Sequence, residues 1–286
     1  MATQDLPPKV DPSSKFALVD VFPPISFKSI AKLKTIIARK FERLKEGDQH
    51  VAVDGISQSL FNRIETGRLG FGSSIRLTYF GDIEALIVKL VSEPHERAHR
   101  ILGQQIEHRM FHPMQVSFSE FCGVGSSKYT GQNQSAKEGD SAWKNILLRP
   151  NEGDWPCVVI EAGLSESLPR LRGDASWWIQ NSGGQVKMVL LVWIQPALKK
   201  VTIEKWIPRA TPTIRTSPCL RAQTYYPVCD AEIFIDQSQT PSTIQGPQLT
   251  LEFENLVGRP ANPPLEGDII FTHPDLDQWA SSLWFR

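Results

Sequence analysis

The chain has 286 residues, with 31 Lys and Arg against 31 Asp and Glu, so its formal net charge is zero. Hydrophobic residues at 41 % and charged residues at 22 % exclude a disordered chain. Zero net charge argues against coating nucleic acid by bulk electrostatics, although a local basic groove stays open.

The longest apolar run, Val186 to Ile194, contains Lys187 and falls well short of the roughly 20 residues of a membrane span. The N-terminal stretch lacks the apolar segment of a secretory signal. Cys122, Cys157, Cys219 and Cys229 show no CxxC spacing, which indicates neither a zinc ribbon nor a disulfide scaffold. The expectation is an intracellular protein, cytoplasmic or nuclear, with no membrane partner.

In chain order, residues 1–24 are rich in Pro, Asp and Ser and read as a flexible tail. Ser26 is placed to cap a helix running to about Glu46, with Ile30, Leu33, Ile37, Phe41 and Leu44 as its apolar stripe and six basic residues opposite. A short helix over Ile56 to Thr66 ends at Gly67. Ile75 to Phe80 alternates, Gly81-Asp82 turns, and Glu84 to Val91 returns as a hairpin. Ser92 and Pro94 open a helix whose buried face is Ala98, Ile101, Leu102, Ile106 and Met110. Weak strands are predicted over Gly125 to Tyr129 and Lys137 to Trp143, and a strongly apolar one over Trp155 to Glu161. Leu168, Leu171, Ala175, Trp178 and Ile179 mark a helix that Asn181-Ser-Gly-Gly184 breaks before the buried strand Val186 to Ile194. Beyond Thr202 the reading is a strand over Tyr226 to Ile235, a loop over Ser238 to Pro247, and a strand or helix over Leu249 to Leu256. A strand over Asp268 to Thr272 and an amphipathic helix from Asp275 to Phe285 close the chain.

Two acids stand out. Asp140 lies in Lys137-Glu-Gly-Asp140, and Glu161 ends Val158-Val-Ile-Glu161. Carboxylates on neighbouring strands can converge on a hard cation such as Mg²⁺, which activates water and stabilises phosphoryl charge. Glu96 or Glu107 of the preceding helix could supply a third oxygen ligand.

The order helix, strand, strand with Asp, strand with Glu, helix, strand resembles the PD-(D/E)XK restriction-endonuclease-like superfamily. The closest flavour is the Uma-type endonuclease-like group and its fungal relatives. Gly81 to Val91 followed by Ser92-Glu-Pro-His95 is similar to that group's entry into its first core helix. Lys137-Glu-Gly-Asp140 is similar to its K-x-P-D. Trp155 to Glu161, with Gly163, Ser165, Ser167, Leu171, Trp177 and Trp178, is similar to its P-x-x-V-x-E-V … S-x-S … L … W run. The similarity spans about Ile75 to Ile194. Gly139 replaces the family proline, and Gly163 replaces the lysine two residues past the glutamate. The following helix offers Arg170, Arg172 and Asp174 but no lysine. Arginine can bind phosphate but is a poor base.

The resemblance implies an α+β fold with a restriction-endonuclease-like mixed-sheet core flanked by helices. The expected core is 73–206, after a helical extension over 25–72 and before a C-terminal α/β elaboration over 207–286. It further implies a Mg²⁺- or Mn²⁺-dependent phosphodiester hydrolase. Asp140, Glu161 and Glu96 would hold metal, and Arg172 would join them in catalysis. Arg170, Lys137, Lys128 and His99 would contact substrate. Nucleic acid is the expected partner; a small-molecule substrate and a homodimer are both compatible with it. The alternative is a catalytically degenerate or repurposed member that serves as a binding module or a small-molecule enzyme.

A third reading comes from His95-Glu96-Arg97-Ala98-His99, which spells HExxH. Such a helix can bind Zn²⁺ with its glutamate as general base, and Glu120 or His112 could be a third ligand. Pro94 puts His95 in the first helical turn, and Leu102 stands where the extended motif needs glycine. Lys144 and Arg149 lie near the expected active edge, and Trp143, Trp155, Trp177, Trp178 and Trp193 could stack bases but fit core packing better. Ser165 and Ser167 lack a GxSxG elbow, and Ser167 reads as a helix cap.

Overall fold

The computed structural model describes residues 24–43, 49–71, 75–164, 168–212 and 223–284. The chain folds as mixed α+β, with two large sheets meeting at the candidate site. Residues 1–23 of the predicted tail 1–24, Leu44 to Glu46 of the first predicted helix, Ser165, Ser167 and Cys219 lie outside the described residues.

The first sheet gathers β1 (Ile25–Ser26), β2 (His50–Asp54), β3 (Ile75–Phe80), β4 (Ala85–Leu90), β6 (Lys128–Thr130) and β7 (Ala136–Glu138), in the order β1-β2-β4-β3-β7-β6. The predicted hairpin is β3–β4, in antiparallel register from Ile75↔Leu90 to Phe80↔Ala85. Helix α1 (Ile30–Glu42) starts later than Ser26. Its cap is Ser29, whose Oγ accepts from the Lys32 N–H at 3.1 Å, while Ser26 sits in β1. Helix α2 (Gln58–Thr66) ends at Gly67 as expected. Both helices cover the outer face of this sheet, where Leu33, Ile37, Phe61 and Ile64 pack with Val51, Val53, Leu77, Leu86 and Val88. The described part of the predicted extension 25–72 is therefore tied to the sheet through β2, which pairs with β4.

The second sheet has seven strands. They are β5 (Cys122–Gly123), β8 (Ser141–Lys144), β9 (Val158–Leu164), β10 (Met188–Gln195), β11 (Lys200–Ala210), β12 (Tyr225–Asp236) and β13 (Thr243–Gln245), running β13-β12-β11-β10-β9-β8-β5. β5 pairs antiparallel with β8, and β8 with β9. β9 and β10 are parallel, so the chain must cross over between them, and α4 (Leu168–Asn181) makes that crossover. All seven residues of β9 are buried, which explains its unbroken apolar run.

Helix α3 (Glu93–Phe111) packs Ala98, Leu102, Ile106 and Met110 against Ile160, Ala162, Leu190 and Val192 on one face of the second sheet. Gly103 is needed there, because a Cβ at this position would lie 2.7 Å from the Trp143 ring. The C-terminal elements are β14 (Leu249–Leu251), α5 (Phe253–Val257), β15 (Ile269–Phe271) and α6 (His273–Ser281), and they extend the same core through Phe253, Leu256, Phe271 and Trp279. The opposite face of β9 and β10, through Val159, Val189 and Leu191, meets α4 and the inner face of the first sheet at Ala52 and Ile87. Among the described residues, no helix is long and apolar enough to cross a membrane.

Two departures from the sequence pattern matter. The single predicted strand Lys137 to Trp143 is two strands in different sheets, with Gly139-Asp140 as the link between β7 and β8. The eleven-residue strand β11, which the sequence reading does not contain, joins β10 to β12.

Candidate functional site

Asp140 sits where the chain leaves one sheet for the other, and that position aims it into the space between them. Gly139 beside it is packed closely: an added Cβ would lie 3.2 Å from both Trp178 and Val159. Asp140 Oδ2 accepts from the Ala162 N–H at 2.8 Å and from Lys89 Nζ at 2.8 Å, and it lies 3.0 Å from His95 Nε2. Its other oxygen, Oδ1, is buried with no hydrogen-bond partner.

Glu161 is on β9, on the face that meets α4. Its Oε1 accepts from Trp178 Nε1 at 2.6 Å and lies 3.3 Å from Lys137 Nζ, while its Oε2 is 3.8 Å from Lys89 Nζ. Lys89 Nζ also donates to the Ala162 carbonyl at 2.6 Å. One ammonium thus bridges both acids and a main-chain oxygen. Beyond it, Asp174 Oδ1 pairs with Lys137 at 2.9 Å and Arg170 at 2.7 Å. Three carboxylates, Asp140, Glu161 and Asp174, therefore face three cations, Lys89, Lys137 and Arg170, and all six are buried.

The electrostatics follow from burial and from these neighbours. Burial would raise Asp140, but His95 and Lys89 outweigh it and hold the carboxyl well below its usual range. Burial pushes Glu161 up to about 7, with Asp140 and Asp174 adding to the shift and Lys137 and Lys89 opposing it. Burial lowers His95 despite the attraction of Asp140, and it lowers His50 with help from Lys89 across the strand pair. Both imidazoles are consequently neutral at pH 7.

The Glu161 shift has a measurable consequence. Between pH 4.5, its ordinary value, and about 7 the folded state holds a proton that the unfolded chain has released. Stability from this group is full below pH 4.5 and is lost as pH rises to about 7, by roughly 3 kcal/mol. Glu161→Gln should flatten this slope in urea melts at pH 5 and pH 7.5; an unchanged slope would assign it to other groups.

Of the residues selected from the sequence, Asp140, Glu161, Lys137 and Arg170 come together in this network. His99 adjoins it, with Nδ1 2.8 Å from Ser141 Oγ. Glu96 borders it, 3.3 Å from His99 Nε2, but its oxygens also meet Arg76 and Arg100. Arg172 lies elsewhere, on Glu204 and Glu232, and Lys128 pairs with Glu65. Lys144 donates to the Asn151 carbonyl and Arg149 to the Trp155 carbonyl. Trp155, Trp177 and Trp178 pack on one another. Two surface cavities, one including Gln58 and Lys128 and the other including Gln104 and His108, are lined by none of the three acids.

Sequence reasoning missed Lys89. The signal was present, since one lysine interrupts the apolar strand Ala85-Leu-Ile-Val-Lys-Leu90 and lysines are almost never buried without a partner. Ser92 does precede α3, yet its side chain makes no cap; its Oγ accepts from Gln49 Nε2 at 2.8 Å.

The HExxH histidines are both buried. His95, His99 and Asp140 can each bring one ligand atom within 4.8 Å of the others, a set that could hold a metal ion. The third ligands considered for a peptidase are otherwise engaged: Glu120 binds Arg259 and His112 packs on His108. Neither a scan of protein-family models nor a search of curated proteins finds a match to this chain.

Proposed function

We propose that the chain is a metal-dependent phosphodiester hydrolase on a restriction-endonuclease-like core, with Lys89 standing in for the lysine that Gly163 replaces. One observation carries this reading. Asp140 Oδ2, Glu161 Oε2 and the Ala162 carbonyl surround one cation, Lys89 Nζ, at 2.8, 3.8 and 2.6 Å. Among the elements of the second sheet and its helices, the order α3-β5-β8-β9-α4-β10, with Asp140 immediately before β8 and Glu161 within β9, supports it.

The donors suit a hard divalent ion such as Mg²⁺ or Mn²⁺, since they are oxygens and Asp140 Oδ1 is buried and unsatisfied. Asp140, through Oδ1, and Glu161 would hold it, and a bound ion activates water and stabilises phosphoryl charge. Lys89 bridges Asp140 and Glu161, so it orients both and can offset charge developing beside them. Lys137 and Trp178 Nε1 hold Glu161 in place. The substrate class that suits this chemistry is nucleic acid.

The matched charges favour a second reading. Three acids opposed by three buried cations form a self-neutralised centre, as expected of a nuclease-type fold kept for binding rather than catalysis. Titration of Mg²⁺ and Mn²⁺ into wild type and Asp140→Asn/Glu161→Gln, with parallel digests of single- and double-stranded DNA and RNA, separates the two. Metal binding and cleavage that both vanish in the double variant are the expected result. A folded wild type that binds neither ion and cleaves nothing favours the second reading.

A further inference from the structure

We propose that His95, His99 and Asp140 form a binding site for a transition-metal ion of the Zn²⁺ or Co²⁺ type, one that shares Asp140 with the hydrolase reading but does not need Glu161. The i, i+4 spacing places both imidazoles on the buried side of α3, where the link between the sheets delivers Asp140. Two imidazoles and one carboxylate select borderline ions over Mg²⁺ or Ca²⁺.

The hydrogen bonds prepare the ligands. His95 Nε2 lies between two acceptors, Asp140 Oδ2 at 3.0 Å and the Ala162 carbonyl at 2.9 Å. An ion shared with Asp140 would therefore take Nε2, the nitrogen that faces it, and leave the proton on Nδ1. His99 Nδ1 is 2.8 Å from Ser141 Oγ; donation there leaves Nε2 basic, the outer-ligand arrangement common around metal-bound histidines. His99 Nε2 also lies 3.3 Å from Glu96 Oε1. Asp140 Oδ1 is buried with no hydrogen-bond partner. Buried polar atoms are nearly always satisfied, and an unsatisfied carboxylate oxygen beside two buried imidazoles points to a missing partner. Lys89 occupies Asp140 Oδ2 and so leaves Oδ1 for the ion. Glu96 is held by Arg76 and Arg100, which separates this site from a peptidase centre with a general base.

The test uses the full chain stripped with chelator and titrated with ZnCl₂ or CoCl₂ alone. One ion per chain is expected, bound at least 10-fold more tightly than Mg²⁺. Co²⁺ should give ligand-field absorption without the intense thiolate band that Cys122 or Cys229 would add. His99→Gln, checked for folding by circular dichroism, should weaken Zn²⁺ binding at least 100-fold, while Glu161→Gln changes it less than 3-fold. In wild type, Zn²⁺ should shift the ring-nitrogen resonances of His95 and His99, a readout that needs no variant. Absence of stoichiometric binding, binding unchanged in His99→Gln, or unmoved ring resonances would each overturn the proposal. Zn²⁺ binding without cleavage upholds this site while removing the hydrolase reading; cleavage without Zn²⁺ binding does the reverse.

Discussion

Lys89→Met should destabilise the protein by about 3–5 kcal/mol, the usual cost of removing one partner from a buried ion pair. The methionine retains most of the aliphatic stem, so little volume is lost. What disappears is the only ammonium that reaches both Asp140 and Glu161 among the described residues. Asp140 keeps the Ala162 N–H and His95, neither of which replaces a full positive charge. Glu161 keeps Lys137 at 3.3 Å and should absorb part of the loss by binding a proton more tightly, since its neighbours become more negative. The variant's deficit should therefore grow with pH, and urea melts at pH 5.5 and 8 measure that trend. Lys89→Met/Glu161→Gln should be less destabilised than the two single changes added together, because both act on one network. A deficit under about 1 kcal/mol at both pH values would mean that Lys89 lies in water.

Trp178→Ala should cost a similar amount, about 3–5 kcal/mol, through a cavity between α4 and the second sheet. Trp178 is fully buried and meets Trp177, Trp155 and Tyr129 edge-on, with ring centroids 5.1, 6.0 and 5.5 Å away. It also closes over Gly139 and donates to Glu161. Trp178→Phe separates the two roles. It keeps most of the packing but removes the N–H, and should cost about 1 kcal/mol, since Glu161 Oε1 loses one hydrogen bond and keeps Lys137. Equal losses in the two variants would show that the hydrogen bond, rather than the ring, dominates. Chemical denaturation of both, with tryptophan fluorescence as the probe, decides it.

Local pattern reveals the elements whose periodicity reflects a single buried face or complete burial. The β3–β4 hairpin, α3 and α4 were legible for that reason, because their apolar residues recur at intervals set by the helix or strand itself. β9 and β10 were legible as unbroken apolar runs. The segment around Leu249 to Leu256, read as strand or helix, contains both, β14 followed by α5. β11 was not legible. Its Lys200, Glu204, Lys205 and Arg209 disrupt the apolar alternation, and its partners, β10 and β12, are set by the folded sheet. Alternation over Lys137 to Trp143 could not show that the chain changes sheets at Gly139-Asp140, because a period of two carries no information about which sheet a residue joins.

The same division holds for the candidate site. Sequence alone determined the α+β class, the two acids Asp140 and Glu161, and the i, i+4 histidines, since each depends on residue type at short spacing. Tertiary structure decided which groups meet them. It brought Lys89 from another sheet to both acids, turned Arg172 toward Glu204, and set His95 and His99 against Asp140. Those partners lie 45 to 73 residues apart in several of the bonds that matter. Charges buried between two sheets are paired by the packing that brings the sheets together, and no local pattern encodes that packing.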